Sequence, residues 1–294
     1  MKIREIMKKI FAVKISYLIN AVILSACLFL MCFGCKSNTL PEEDDDEETF
    51  LFLEYLSSTS TESVSLETIR QWLDRLSISY RPEDVYPYPV KAGTPEWGAL
   101  TEPERIESLQ IPASVLAKIS TEGLLQTCLE SPFIITALYM HGGFQNGMEW
   151  LVENLNGLRS LIQRPDAPIS FIGKFFVYLE DFEYGRISSM DLFFFELLLA
   201  QDAVVNKMNK AQEKTLVWFS LVFKNIQENN TEIFGEIHID SRSLLFAKLL
   251  MKDPDFNDPV IREKLAVFTK WVHPLDQQTV DYLCDYVKNK YNVK

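Results

Sequence analysis

The sequence predicts an all-α fold, either a multi-helix bundle or an α-solenoid, for residues 65–294. Cap residues are repeatedly followed by apolar residues at helical spacing, and few segments alternate with the period of two that is typical of strands. The chain is 47% apolar and 12% aromatic, which is enough to bury a substantial core as one domain or two closely packed ones. Residues 1–64 differ in composition and are predicted to lie outside this helical body.

Residues 1–34 have the three parts of a secretory signal. Basic side chains lead into an almost wholly apolar run, 15–34, which ends in the small residue Gly34 directly before Cys35. This order resembles a bacterial lipoprotein signal, in which the thiol after the cut is lipidated and becomes the new N-terminus. The resemblance implies a lipid anchor in a membrane at Cys35.

Two alternatives to this anchor follow from the same residues. Cys27, preceded by Leu24-Ser25-Ala26, is the closer match to the lipoprotein pattern, but a cut there leaves the bare apolar stretch 28–33 at the new N-terminus. Because polar sequence follows Cys35 directly, Cys35 is favoured over Cys27 as the lipidated residue. The run 15–34 is also just long enough to span a bilayer as an uncleaved helix. Both alternatives place the body outside the cytoplasm.

Residues 35–64 are predicted to be a tether. They contain an unbroken acidic run, 42–48, and a Ser/Thr-rich stretch, 57–63. The run resembles the tracts that follow the lipidated Cys in surface-exposed lipoproteins of the Bacteroides type. That resemblance implies an outer-membrane lipoprotein on the cell surface rather than facing the periplasm; the alternative is a self-repelling spacer. A net charge of −12 offers no electrostatic footprint for nucleic acid.

Helix-capping residues and prolines predict where the helices of the body begin and end. A first helix is expected after Ser65, and the segment 80–97, with four prolines, is predicted to be extended and free of helix. Thr101 and Glu104 have the spacing of a capping box, and short helices follow at Pro112 and Thr121. Longer helices are predicted over 144–163 with a break at 156–157, 169–182, 189–208, 209–228, 240–252, 258–272 and 276–291.

One of these helices is expected at the centre of the body. The helix 189–208 is apolar on nearly all sides through Leu199, which is typical of a buried element. The later stretch 258–266 resembles the Asp-Pro-x-Val-Arg-x-x-Ala stretch of HEAT repeats, which implies a HEAT-like α-solenoid. A single copy is found, whereas a solenoid needs three or more units.

Two short motifs resemble sites of chemistry. His141-Gly142-Gly143-Phe144 is similar to the oxyanion-hole loop of esterases, but the chain has no Gly-x-Ser-x-Gly elbow downstream, which favours a glycine turn between helices. Residues 253–258 have the alternating oxygens of a calcium loop. Asp258 and Lys264, however, stand where Gly and a bidentate Glu belong, which favours an inter-helix turn with a cap.

No catalytic residue, metal ligand or cofactor is predicted. None of the three histidines, His141, His238 and His273, has a helical partner four residues away, so a zinc site is not expected. The carboxylates of 180–183 and of 281–285 fit solvated helix faces, and a glycosidase pair is the alternative. Cys128 and Cys284 are expected to be separately buried thiols, with a disulfide as the alternative.

The segment 86–97 carries a further resemblance. Its Gly93-Thr94-Pro95-Glu96-Trp97 stretch, followed by a helical module, resembles uncharacterised lipoproteins of Bacteroides-type bacteria, and that resemblance implies location and fold but no activity.

The expected function is a non-enzymatic helical body that binds an unknown protein or glycan. The prolines of the segment 80–97 limit its freedom and its aromatic side chains offer rigid contact area, so Tyr86, Tyr88 and Trp97 are the predicted contact residues. The alternatives are that these aromatics only strap the helices together, and that the chain is a carbohydrate-active enzyme on an α/α scaffold.

Overall fold

The computed structural model describes residues 82–134, 139, 143–183, 186–228, 236–271 and 275–293. Within them the chain forms thirteen helices and no strand, so the all-α prediction is confirmed. The signal segment, Cys35, the acidic tether and the helix predicted after Ser65 lie outside these residues.

The helices are numbered in chain order. Four short helices come first: α1 (Pro95–Ala99), α2 (Glu102–Ser108), α3 (Ala113–Leu116) and α4 (Thr121–Leu129). The remaining helices are α5 (Phe144–Asn154), α6 (Asn156–Gln163), α7 (Ala167–Glu183), α8 (Ser189–Leu199), α9 (Asp202–Val205), α10 (Lys210–Glu228), α11 (Glu236–Lys252), α12 (Pro259–Trp271) and α13 (Gln277–Tyr291). The predicted break near 156–157 is present, between α5 and α6.

Three predicted caps begin the helices that they were expected to begin. A side-chain oxygen of Asn209, Asp258 and Asp276 accepts a backbone N–H in the first turn of α10, α12 and α13, over 2.9, 3.0 and 3.0 Å. Each bond satisfies a donor that has no partner inside its helix. The cap positions therefore follow directly from sequence.

Capping boxes begin α2 and α8. The Glu104 carboxylate accepts from the backbone N–H of Thr101 over 2.8 Å, as predicted. At α8 the predicted cap, Ser189, is wrong by one residue. The Ser188 hydroxyl accepts from the backbone N–H of Asp191 over 3.2 Å, and the Asp191 carboxylate accepts from the backbone N–H of Ser188 over 2.7 Å. A short acid three residues after Ser188 closes the box there.

The prediction that 80–97 contains no helix is wrong at its end. The helix α1 begins at Pro95, and the Thr94 hydroxyl accepts from the backbone N–H of Trp97 over 3.2 Å. Proline breaks the interior of a helix but is favoured at its first position, where its missing N–H is not needed. Of the described residues before Thr94, 82–93, none is helical.

The single helix predicted over 189–208 is two helices. The helix α8 ends at Leu199, and α9 begins after Gln201. The Gln201 side chain donates to the Leu197 carbonyl over 2.8 Å and exchanges amide hydrogen bonds with Gln145 of α5. This side chain satisfies a carbonyl at the end of α8, so the backbone is free to leave the helix there.

The core is built around α8. Residues 192–199 of this helix are all buried, which confirms the prediction of a buried central helix. It makes its most extensive contact with α11 and also packs against α5 and α7. The contact of α5 with α12 joins helices far apart in sequence, which a linear stack of repeats does not produce. The arrangement is therefore a multi-helix bundle rather than a solenoid.

Candidate functional site

We call residues 82–97 the strap, and its first fixed point is Asp84. The Asp84 carboxylate accepts from the backbone N–H and the hydroxyl of Ser120, over 2.6 and 2.9 Å, just before α4. Burial acts to raise the pKa of Asp84, but the hydrogen bonds from Ser120 outweigh it and hold the pKa below its usual value. A Cβ at Gly123 would clash with this carboxylate, so glycine is what lets the strap approach α4.

The second fixed point is the tyrosine pair. The backbone N–H of Tyr86 donates to the Thr127 hydroxyl over 2.9 Å, and that hydroxyl donates to the Gly123 carbonyl over 2.8 Å. The rings of Tyr86 and Tyr88 meet edge to face, with centroids 5.9 Å apart. Both rings are half-buried against the core, and burial raises the pKa of the Tyr88 phenol.

Trp97 belongs to a different group of contacts. Its ring meets the edge of Phe133, with centroids 6.3 Å apart, and Phe133 packs on Trp150. The Arg105 guanidinium lies 5.3 Å from the Trp97 ring centroid, and its Nε donates to the Trp97 carbonyl over 3.3 Å. Thus two of the predicted contact residues, Tyr86 and Tyr88, touch each other, while Trp97 packs with other partners. All three fasten the strap to the helices, and their role as contacts for a partner stays a prediction.

The outer edge of the strap is exposed. Pro87, Pro89 and Lys91 are each exposed, between or just beyond the half-buried tyrosines. The Thr94 hydroxyl donates to the Lys91 carbonyl over 2.9 Å, which closes a turn. Gly93 within that turn has a φ of 78°, a conformation that favours glycine. The strap therefore presents a short exposed edge whose backbone is fixed on both sides.

The stretch 253–258 is an inter-helix turn. The Asp253 carboxylate pairs with Lys290 and accepts from the Tyr286 hydroxyl over 2.9 Å, and Asp258 caps α12. Burial acts to raise the pKa of Asp253, but the hydrogen bonds from Lys290, the backbone of Asp255 and Tyr286 keep it below its usual value. Among the described residues, no group of three His, Cys, Asp or Glu side chains is placed to hold a metal ion.

Two of the carboxylates considered as a glycosidase pair contact residues four or five positions away in the chain. Asp181 pairs with Arg186, and Asp281 accepts from Gln277 four residues earlier on the face of α13. His141 and Gly142 lie outside the described residues, and Gly143 is the residue that begins α5.

The two cysteines of the body are free thiols. Cys128 and Cys284 are each buried and unpaired with one another, so the disulfide alternative is wrong. Burial raises the pKa of both thiols, which disfavours the reactive thiolate.

One buried polar group was missed by sequence reasoning. Glu196 lies in the middle of α8 and is 3% exposed. Its Oε2 accepts from the Ser241 hydroxyl of α11, its Oε1 has no hydrogen-bond partner, and the buried Arg242 lies near by. Burial raises its pKa to about 7, although Ser241 and Arg242 act in the opposite direction. The sequence does contain a signal for this buried acid, because Glu196 is the one acidic residue in the otherwise apolar run 192–199.

Comparisons with known proteins add no family assignment. Searches of protein-family models, of curated proteins and of solved structures found no match to this chain. Among the helices of the described residues, none combines the length and the apolar character that crossing a bilayer requires.

Proposed function

We propose that this chain is a lipid-anchored extracytoplasmic protein whose helical body binds a protein or glycan partner without catalysing a reaction. The observation that carries the binding role is the strap. Its inner edge is tied down at Asp84 and Tyr86, while Pro87, Pro89 and Lys91 lie exposed on the outer edge. A segment already ordered before binding loses little conformational entropy when a partner arrives.

The proposed anchor is supported by the order of residues around Cys35. A basic start, an apolar run, a small residue, a Cys and then polar sequence occur in succession. The acidic run 42–48 supports an outer-membrane location on the cell surface, by its similarity to export tracts of Bacteroides-type lipoproteins.

The non-enzymatic part of the proposal is supported by what the described acidic side chains contact. Asp84 ties the strap to α4, Asp253 ties α13 to the turn before α12, and Asp276 caps α13. Glu213 accepts from Lys252 and from the Tyr291 hydroxyl, over 2.6 and 2.8 Å. Each of these four carboxylates has a structural role that explains its position.

The anchor is tested by metabolic labelling with palmitate in the cells that make the protein. Cys35→Ala is expected to abolish the label and to release the body from membranes or stall it as precursor. Cys27→Ala is the matched control and is expected to keep both label and location. Label retained by Cys35→Ala and lost by Cys27→Ala would move the anchor to Cys27.

The binding role of the strap is tested by site-specific photo-crosslinking on intact cells. A photoreactive residue at Lys91, on the exposed edge of the strap, is expected to give a discrete crosslinked product. The same residue at Glu107, exposed on α2, is the control and is expected to give none. Equal crosslinking at both positions, or none at Lys91, would show that the strap is not the contact surface.

A further inference from the structure

The strap has two faces along residues 86–91. Exposure alternates from one residue to the next, with half-buried residues at the even positions and exposed residues at the odd positions. This alternation is the pattern of an extended chain, in which successive side chains point to opposite sides and every second one lies about 6.5 Å further along. We call the exposed residues the outer face of the strap: Pro87, Pro89 and Lys91.

The backbone of this stretch is set by its prolines and its ties. Each of the residues 86–89 is either a proline or directly precedes one, and both positions favour extended backbone over helix. At one end the backbone N–H of Tyr86 donates to the Thr127 hydroxyl, and at the other end the Lys91 carbonyl accepts from the Thr94 hydroxyl. The outer face is therefore held in one conformation before any partner binds.

The two prolines of the outer face favour a protein partner over a glycan. Their rings are apolar and carry no hydrogen-bonding group, whereas the hydroxyls of a glycan need such groups. The aromatic rings that would stack on a sugar, Tyr86 and Tyr88, pack against each other and against the core instead. Prolines exposed on an extended backbone are the feature that aromatic-lined grooves of proteins recognise.

Lys91 adds a charge to this apolar face. It is the one cationic residue of the strap, and among the described residues no ion pair joins its ammonium to an acid. An ammonium binds a carboxylate or the face of an aromatic ring. Glu83 and Glu96, nearer the two ends of the strap in sequence, are exposed, so a carboxylate displaced from Lys91 would meet like charge. Lys91 therefore sets the register of the partner.

We propose that the outer face of the strap binds a protein, through a groove lined by aromatic side chains and bearing a carboxylate opposite Lys91. This inference rests on the proposed binding role of the strap and names the chemistry of its partner. The proline rings of the outer face pack on the aromatic walls of the groove, and the Lys91 ammonium pairs with the carboxylate.

The chemical class of the partner is tested by photo-crosslinking on intact cells with the photoreactive residue at Ala92. Ala92 is exposed and adjoins the outer face, so Pro89 and Lys91 keep their side chains. Mass spectrometry of the product is expected to find a peptide of another protein that contains aromatic and acidic residues. A saccharide adduct would overturn this inference and leave the binding role of the strap standing. No adduct, or an adduct with residues 1–81 of the same chain, would overturn both.

Substitutions on the outer face test whether its side chains are what the partner recognises. Lys91→Glu is expected to lower the yield of the Ala92 crosslink at least about tenfold, because like charges then meet, whereas Lys91→Arg is expected to keep it. Pro89→Ala is expected to lower the yield several-fold, since both the ring and the fixed backbone are lost. Lys118→Glu, the same charge change at an exposed residue after α3, is the control and is expected to match the parent. Yields that are equal in the parent, Lys91→Glu and Pro89→Ala would overturn the proposal, as would an equal loss in Lys118→Glu.

Discussion

Replacement of the buried Glu196 by Gln is expected to remove a pH dependence from the stability of the body. Glu196 is 3% exposed on the central helix α8, and burial raises its pKa from an ordinary 4.5 to about 7. The groups that face it are the Ser241 hydroxyl and the Arg242 guanidinium of α11, and both act to lower the pKa. Gln has nearly the same shape and cannot lose a proton, so the substitution isolates the charge.

The sign and size of the effect follow from proton linkage. The folded chain holds the Glu196 proton more tightly than the unfolded chain, because its folded pKa is about 7 and its ordinary pKa is 4.5. Its contribution to the free energy of unfolding is fully present below pH 4.5 and is lost as the pH rises through 7. The full loss is about 3 kcal/mol, at about 1.4 kcal/mol for each tenfold difference in proton affinity.

The assay is urea unfolding of residues 61–294, followed by helical circular dichroism at a series of pH values from about 4 to 8. Glu196→Gln is expected to match the parent at the acid end and to exceed its stability by up to about 3 kcal/mol at the alkaline end. Glu107→Gln, on the exposed face of α2, is the control for the loss of one carboxylate. All other ionisable groups are common to both proteins, so the difference between parent and variant reports Glu196 alone. A difference that does not change with pH would refute the reasoning.

Three further predictions concern the core, the strap and the tether. Phe194→Asp and Leu198→Asp are each expected to unfold the body, because a buried unpaired charge costs several kcal/mol against a total stability of roughly 5–15 kcal/mol; an unchanged melt would contradict this. Gly123→Ala is expected to cost about 1–3 kcal/mol in urea unfolding because its Cβ meets the Asp84 carboxylate, and addition of Asp84→Ala should relieve part of that cost. Replacement of 42–48 by Ser and Gly is expected to leave helical circular dichroism unchanged and to reduce labelling of intact cells, whereas unchanged labelling would make the run a spacer.

The fold was predictable because its signals are local. Asn209, Asp258 and Asp276 begin helices by bonding backbone donors two or three residues away, which sequence spacing alone reveals. Two of the errors at helix ends have different causes. Helix α1 was predictable from Thr94-Pro95, whereas at the break after Leu199 the Gln201 side chain bonds both to the nearby Leu197 carbonyl and to Gln145, which is distant in sequence.

Sequence could name the residues of the strap but not their partners. Asp84 bonds to Ser120 and Tyr86 to Thr127, pairs that are 36 and 41 residues apart in the chain. No local pattern reports such pairs, so the half-burial of the tyrosines could not be read from their neighbours. The exposure of Val267 is also a tertiary property, since α12 has apolar residues on both its buried and its exposed sides.

Substitutions at different residues of the strap differ in how they can be interpreted. Tyr86 and Trp97 pack against the core, so a loss of binding in their variants also reports a loss of stability. Loss of binding can be separated from loss of stability at the exposed strap residues Pro87, Pro89 and Lys91. Substitutions at those positions, rather than at the aromatic residues, therefore decide whether the strap binds a partner.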